Sequence, residues 1–136
     1  MHTQVLLICA QPADQARVRA SVEGIRGQPH RLEVVPTLAE GLAAIRAGRV
    51  EAILLDLTLP DSAGVTTYLR LQPKATQLPV VVIVAEEEED LGRQCVERGA
   101  LDFLVKSEVS AQLVDKVLRY ATERTHTLKA LKASEQ

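Results

Sequence analysis

The sequence predicts an α/β fold in which five parallel strands form one doubly wound sheet with helices on both faces. Short apolar runs recur along the chain, and segments with the 3.6-residue periodicity of amphipathic helices lie between them. Several of these runs are continuously apolar, as strands covered on both faces are. Strands that alternate with helices through short links form parallel sheets through right-handed crossovers.

Each predicted element has its own signal. The apolar runs are 5–9, 32–35, 52–55, 80–84 and 101–105, and the first, third and fourth lack alternation. The apolar positions at helical spacing are Val18, Val22 and Ile25; Leu38, Leu42 and Ile45; Leu91, Cys95 and Val96; and Leu113, Val114, Val117, Leu118 and Ala121. The segment from Thr37 to Glu40 matches a capping box at the start of the second helix. Gly99 lies where a helix C-terminal cap belongs, and the acidic run from Glu86 to Asp90 suits the start of the helix before it.

Composition limits the class of protein. At 136 residues with 46% apolar and 25% charged residues, the chain has the size and balance of one globular domain. The net charge of −2 has its signs interspersed, so we expect no nucleic-acid partner. Cys9 and Cys95 lack metal-ligand spacing and indicate a reduced protein. The first residues lack the basic flank of a signal peptide, and no run has the length of a membrane span. We therefore expect a cytoplasmic domain with no membrane partner.

An acid at the end of a buried run is the most informative single feature. The third run, AILL, ends on Asp56 and is followed by a loop that contains Pro60 and Gly64. An unpaired buried carboxylate is costly, so this acid needs a partner or a chemical task. In the flavodoxin-like strand order 2-1-3-4-5, ligands bind beyond the carboxyl ends of the first and third strands. The sequence therefore places Asp56 at the edge of the sheet where such folds carry their sites.

Three motifs in order resemble the receiver domain of bacterial two-component response regulators. They are LLDLTLPDSAG at 54–64, PVVVIV at 79–84 and GALDFLVKSE at 99–108, and the resemblance covers about residues 1 to 120. It implies that Asp56 is the phosphoacceptor for a histidine kinase. It also implies that Lys106 binds the phosphoryl oxygens and that Phe103 is the aromatic switch residue.

The sequence departs from the family pattern at the predicted metal site. The resemblance calls for a pair of acids after the first strand to hold Mg²⁺, and Cys9 and Ala10 stand there instead. Mg²⁺ requires oxygen ligands, which neither side chain supplies. Gln11 offers a neutral oxygen, whereas we expect Asp14 to lie on the first helix and to point elsewhere. Asp56 alone is a weak metal ligand, so no cofactor is expected beyond weak Mg²⁺ binding.

A second departure lies at the end of the fourth strand. The resemblance implies a switch hydroxyl there, and Val84 takes its place. With the metal acids also replaced, we interpret the chain as a pseudo-receiver in which Asp56 and Lys106 form a structural ion pair. Cys9 has two interpretations, a small buried side chain and, more remotely, a redox-sensitive thiol. Cys95 is expected in the core.

The predicted function is that of a regulatory domain in phosphorelay signal transduction, not of an enzyme acting on small molecules. We expect it to act through protein–protein contacts, with a histidine kinase or another signalling protein as partner. One alternative is a conventional receiver phosphorylated on Asp56. A weaker alternative is a flavin- or small-ligand-binding protein of the flavodoxin type, although CAQPAD at 9–14 is not a phosphate-binding loop.

The C-terminal segment forms a separate expectation. Residues 1–121 are predicted to be the receiver domain, and residues 122–136 a helical extension or linker that continues the last helix. Leu128 and Leu131 continue a heptad, broken at Arg124, that begins in the last helix. One interpretation is a frayed, solvated helix. The other is a continuous helix over 110–134 that forms a homodimer or leads to an output domain beyond residue 136.

Overall fold

The computed structural model describes residues 3–25, 30–120 and 123 and contains a parallel sheet of five strands. Within these residues the strands are β1 (Thr3–Ile8), β2 (His30–Val35), β3 (Ala52–Asp56), β4 (Thr58–Leu59), β5 (Ser62–Ala63), β6 (Val80–Val84) and β7 (Asp102–Val105). The sheet order is β2-β1-β3-β6-β7, with every neighbouring pair parallel. Counting the sheet strands alone, this is the predicted order 2-1-3-4-5, so the flavodoxin-like fold is confirmed.

Helices cover both faces of this sheet. They are α1 (Pro12–Glu23), α2 (Leu38–Arg46), α3 (Val65–Leu71), α4 (Glu89–Glu97) and α5, which is helical over 111–120 in the described residues. No helix in the described segments is long and apolar enough to cross a membrane. The predicted extension over 122–136, and the part of the predicted 110–134 helix beyond 120, lie outside the described residues except for residue 123.

The side chains of the central strands alternate between two hydrophobic cores. Ile53 and Leu55 pack in the core that includes α2, α3 and α4, whereas Leu54 packs in the core that includes α1 and α5. All five residues of β3 and all five of β6 are buried. The continuously apolar runs therefore correspond to strands that are covered on both faces.

The predicted helix boundaries are present. Thr37 Oγ1 accepts a hydrogen bond from the Glu40 backbone N–H at 3.1 Å at the start of α2. Gly99 follows the end of α4 with a φ of 121°, in the region that favours glycine. Cys95 is fully buried in the core under α4, as expected. These local signals set where α2 begins and where α4 ends, and therefore where the adjoining loops start.

The short hairpin of β4 and β5 was not predicted. Its two-residue strands pair antiparallel outside the main sheet, Thr58 with Ala63 and Leu59 with Ser62. Two residues cannot show the period-2 pattern by which strands are recognised. The hairpin folds the loop after Asp56 back on itself, and Gly64 N–H donates to the Leu57 carbonyl at 2.7 Å to close it.

Candidate functional site

Asp56 is buried at the carboxyl end of β3, and each of its carboxylate oxygens has a polar partner. Its side chain is 1% exposed. Oδ1 accepts a hydrogen bond from the Thr58 backbone N–H at 3.1 Å. Oδ2 lies 3.0 Å from Lys106 Nζ and accepts a hydrogen bond from the Cys9 thiol at 3.4 Å. Because both oxygens have partners, the cost of burying this carboxylate is offset.

Lys106 joins two carboxylates. It follows β7 in a single 3₁₀ turn, Lys106–Glu108, and its Nζ lies 2.9 Å from Asp14 Oδ2 as well as 3.0 Å from Asp56 Oδ2. Burial alone lowers the pKa of this ammonium. The hydrogen bonds and charges of Asp14 and Asp56 outweigh burial and raise its pKa above the ordinary value. Lys106 therefore stays charged, and the ion pair with Asp56 expected from the sequence is present.

The expectation that Asp14 points away from the site is wrong. Pro12 begins α1 immediately after the loop that follows β1, so Asp14 lies in the first helical turn, close to the edge of the sheet. From there its carboxylate reaches Lys106. The sequence placed Asp14 on the correct helix but did not give the rotation of that helix. One turn later, Arg17 donates from its guanidinium to the Lys106 carbonyl at 2.8 Å.

Cys9 is a buried hydrogen-bond donor. It follows β1, is 1% exposed, and its carbonyl accepts a hydrogen bond from Gln15 Nε2 at 2.5 Å. Burial, followed by the charge and the hydrogen bond of Asp56, raises the pKa of its thiol to about 12. Reactive thiols have lowered pKa values, so this environment opposes the redox interpretation. Ala10, beside it, is half-buried and packs against the core.

Val84 and Phe103 lie in hydrocarbon surroundings. Val84 ends β6 beside Val105 of β7 and is 1% exposed. Phe103 is half-buried in β7, under α4. A methyl group placed on Gly92 of α4 would lie 2.6 Å from Phe103 Cγ, so the glycine is what admits the ring. The valine gives the end of β6 no polar side-chain atom.

Asp61 is a residue of this region that the sequence reading missed. It lies in the turn of the β4–β5 hairpin, and its two carboxylate oxygens accept from the backbone N–H groups of Leu38 at 2.9 Å and Ala39 at 3.0 Å. The hydrogen bond from Leu38 is the largest cause of the lowered pKa of this carboxyl. Arg70 of α3 donates to its carbonyl at 3.1 Å. Pro60 and Asp61 are residues typical of a turn, so the turn itself could be predicted from the sequence. The contact of Asp61 with Leu38, 23 residues earlier, could not.

Comparison with known proteins identifies the family. Residues 5–118 match the model of the response regulator receiver domain family. The chain belongs to this family. It is 33% identical over 115 residues to the transcriptional regulatory protein PrrA of Mycobacterium tuberculosis, covering 84% of this chain and 49% of that protein. It is 32% identical over 68 residues to the glycerol metabolism activator of Pseudomonas putida, covering 50% of this chain and 31% of that protein. The chain thus spans about half or less of the length of these curated relatives.

Solved structures agree on the fold of the receiver domain. The signal receiver domain of the putative LuxO repressor protein from Vibrio parahaemolyticus superposes with a TM-score of 0.81 at 21% identity, covering 96% of this chain and 98% of that one. NtrX from Brucella abortus in complex with ADP superposes with a TM-score of 0.84 at 21% identity, covering 97% of this chain and 30% of that one. At these identities the likeness establishes the fold alone.

Receiver domains bind Mg²⁺ at the phosphorylation site, and the candidate donors for that ion in this protein are Cys9, Asp14 and Asp56. Ligand atoms of Cys9, Asp14 and Asp56 all lie within 4.8 Å of one another. Mg²⁺ demands oxygen ligands in octahedral geometry, whereas one of these donors is a thiol whose raised pKa keeps it protonated. The other two already contact the Lys106 ammonium. This donor set does not fit Mg²⁺.

Proposed function

We propose that this receiver domain regulates two-component signal transduction through protein–protein contacts, with impaired Mg²⁺-dependent phosphorylation at Asp56. The observation that carries the proposal is the set of contacts on Asp56 Oδ2. A neutral thiol and a lysine ammonium lie at 3.4 Å and 3.0 Å from this oxygen. An ion pair of this kind satisfies the buried carboxylate without metal or phosphate.

The charges available for phosphoryl transfer support the same proposal. Phosphoryl transfer to a carboxylate depends on cations that neutralise the oxygens of the transferred group. With Cys9 and Ala10 at the positions of the acid pair, the pocket lacks the two carboxylates that this pair would contribute to holding such a metal ion. Val84 offers no hydroxyl to contact a phosphoryl group at the end of β6. The pocket therefore favours a fixed ion pair over a phosphorylation cycle.

The partners we propose are proteins. Receiver domains interact with histidine kinases and with output domains, and this chain spans about half the length of the PrrA protein that it matches. We infer a histidine kinase or another signalling protein as partner, an output domain beyond residue 136, and a domain without enzymatic activity of its own. Self-association through residues 122–136 is the further partner that the heptad pattern suggests.

Incubation with acetyl phosphate and Mg²⁺, followed by intact-mass measurement, tests the proposed function. We expect little or no mass gain for the unmodified protein. The double variant Cys9→Asp/Ala10→Asp restores two carboxylates and should gain the mass of one phosphoryl group, and Asp56→Asn added to it should abolish that gain. Full phosphorylation of the unmodified protein, lost in Asp56→Asn, would overturn the proposal.

A conventional receiver is the second candidate, and one observation favours it. Asp14 brings a second carboxylate to the pocket, 2.9 Å from Lys106. If the unmodified protein is phosphorylated and Asp14→Asn abolishes the mass gain, this carboxylate compensates for the missing acid pair. The proposal of impaired phosphorylation would then be replaced by this one.

A further inference from the structure

We propose that His30 is a proton-operated contact beneath helix α5. When neutral it lets α5 pack against the sheet, and when protonated it loosens the helix by drawing the Asp115 carboxylate away from Arg119. The inference goes beyond the proposed function, because none of these three residues belongs to the Asp56 pocket. It gives the domain an input that requires no phosphoryl group.

The imidazole of His30 is a buried polar group without a partner. Both ring nitrogens, Nδ1 and Nε2, are buried, and neither has a hydrogen-bond partner among the residues that the structure describes. Neutral imidazole has one donor and one acceptor nitrogen, so both capacities are unused here. Buried polar groups in this state are rare because they cost stability. An apolar side chain of similar size would avoid that cost, which points to a role for the titration of this histidine.

The position of His30 directs its side chain toward α5. His30 begins β2, an edge strand of the sheet, and pairs there with Thr3 of β1. Leu32 and Val34, two and four residues further along β2, pack against the core that includes α1 and α5. Alternate residues of a strand share one face, so His30 lies on the same side. A charge on its imidazole therefore acts on the packing of these two helices.

Helix α5 supplies the charged groups that act on the imidazole. They are Asp115 and Arg119, which pair with each other, since Arg119 Nε donates to Asp115 Oδ1 at 2.9 Å. β1 carries no charged residue, and no charged group of α1 contributes among the described residues. Arg31 and Glu33 of β2 lie on the opposite face of the sheet by strand alternation. An imidazolium at His30 would therefore have to take Asp115 from Arg119 to gain an acidic partner.

Burial sets the direction of the switch. It lowers the pKa of His30 below the ordinary value of 6.5; the charge of Arg119 adds to this effect, and the charge of Asp115 opposes it. Above about pH 6.5 the imidazole is neutral whether or not α5 is packed on it. Below that pH an exposed imidazole takes up a proton that the packed one resists, so acid favours conformations in which α5 has moved away. The equilibrium constant for this opening should rise by up to about tenfold per pH unit until His30 is protonated in the packed state as well.

The test is amide hydrogen exchange of the purified full chain between about pH 7.5 and about pH 5, with each rate divided by the intrinsic rate at that pH. NMR titration of the imidazole Cε1–H resonances gives the pKa of His30, whose resonance is the one absent from the variant His30→Leu. This variant keeps an apolar side chain at the position and removes the titration. Lys116→Gln is the control, because it removes a charge from an exposed position of α5 that does not act on His30.

We expect His30 to titrate below 6.5, and the amides of α5 to lose protection as the pH falls while those of β3 and β6 keep theirs. In His30→Leu, α5 should keep its protection across the whole range, and Lys116→Gln should behave as the unmodified protein. The inference would be overturned by a His30 pKa at or above 6.5, by α5 protection that does not change with pH, or by an equal loss of protection in His30→Leu.

Two further variants keep the test decisive if His30→Leu fails to fold. Asp115→Asn should lower the pKa of His30 further, whereas Arg119→Gln should raise it, because the two charges act in opposite directions. The imidazole resonance that shifts in opposite directions in the two variants is then that of His30. No shift in either variant would show that α5 does not act on His30 and would refute the inference. Since no phosphodonor is added, these outcomes are independent of whether Asp56 is phosphorylated.

Discussion

The thiol of Cys9 donates a hydrogen bond to Asp56 Oδ2 at 3.4 Å, across the gap between the ends of two neighbouring strands. A carboxylate at the position of this thiol would repel Asp56, whereas the neutral thiol stabilises it. The stability of this protein should therefore depend on keeping Cys9 protonated.

The first prediction concerns alkaline pH. The pKa of Cys9 is raised in the folded protein from 9.0 to about 12, so its contribution to stability is complete below about pH 9 and is lost as pH rises toward 12. Each pH unit in this window costs up to about 1.4 kcal/mol per such thiol. Urea unfolding between pH 8 and 10.5 should show a steeper loss for the unmodified protein than for Cys9→Ala. Cys95, whose pKa is also raised, is present in both proteins and cancels in the comparison. Parallel pH profiles would contradict the prediction.

The second prediction concerns Asp14. Replacing it with Asn leaves Lys106 with Asp56 as its acidic partner and should lower the free energy of unfolding by about 1–2 kcal/mol. The raised pKa of Lys106 means that this contribution is present below about pH 10 and is lost as pH rises above it. Denaturant unfolding at pH 7 measures the change. The control is Asp90→Asn, which removes an exposed partner of Arg93 and should change stability by less than about 0.5 kcal/mol. Equal effects of the two substitutions would show that the Asp14 contact is no stronger than a surface pair.

The third prediction concerns Asp61, which caps α2 from the hairpin after Asp56. Asp61→Ala should destabilise the protein by about 1 kcal/mol at neutral pH, the usual effect of losing a helix cap. Since the pKa of Asp61 is lowered, its contribution is present above about pH 4 and disappears as pH falls below it, so the two proteins should converge in acid. Amide hydrogen exchange gives the local readout: the N–H groups of Leu38 and Ala39 should exchange faster in the variant. Unchanged exchange at both would rule out the cap.

The fourth prediction concerns the contact between α4 and β7. A methyl group on Gly92 would lie 2.6 Å from Phe103 Cγ, so Gly92→Ala should cost about 1–3 kcal/mol through overpacking. Phe103 is the sole phenylalanine of the chain, so fluorophenylalanine labelling gives one fluorine resonance, which should shift in the variant. Phe103→Leu in the Gly92→Ala background should recover part of the lost stability. A Gly92→Ala protein with unchanged stability and an unchanged fluorine signal would show that α4 moves freely away from the ring.

The fold could be predicted because its signals are local. The buried strands around Leu54 and Val82 and the cap at Thr37 each depend on a few adjacent residues, and all are present in the structure. Pocket residues that lie at the end of a predicted strand, such as Asp56, could also be placed from the sequence. Asp14 was placed on the correct helix but was expected to point away from the pocket, because its contact depends on the rotation of that helix. Asp61 was missed because its contact depends on a hairpin too short to leave a pattern. Both residues contact partners that are distant in sequence: Asp14 contacts Lys106, and Asp61 accepts a hydrogen bond from the start of α2.

The contact of Arg17 with the Lys106 carbonyl has a consequence for the order of folding. It joins residues 89 positions apart, so it can form only after the last strand of the sheet has docked. A closure of this length carries a large entropic penalty, and such contacts generally form late. The hydrophobic strands can therefore assemble before the charged groups meet, and a chain emerging from the ribosome has no complete pocket until residue 106 is in place. Weakening this contact should accelerate unfolding while leaving the rate of folding nearly unchanged.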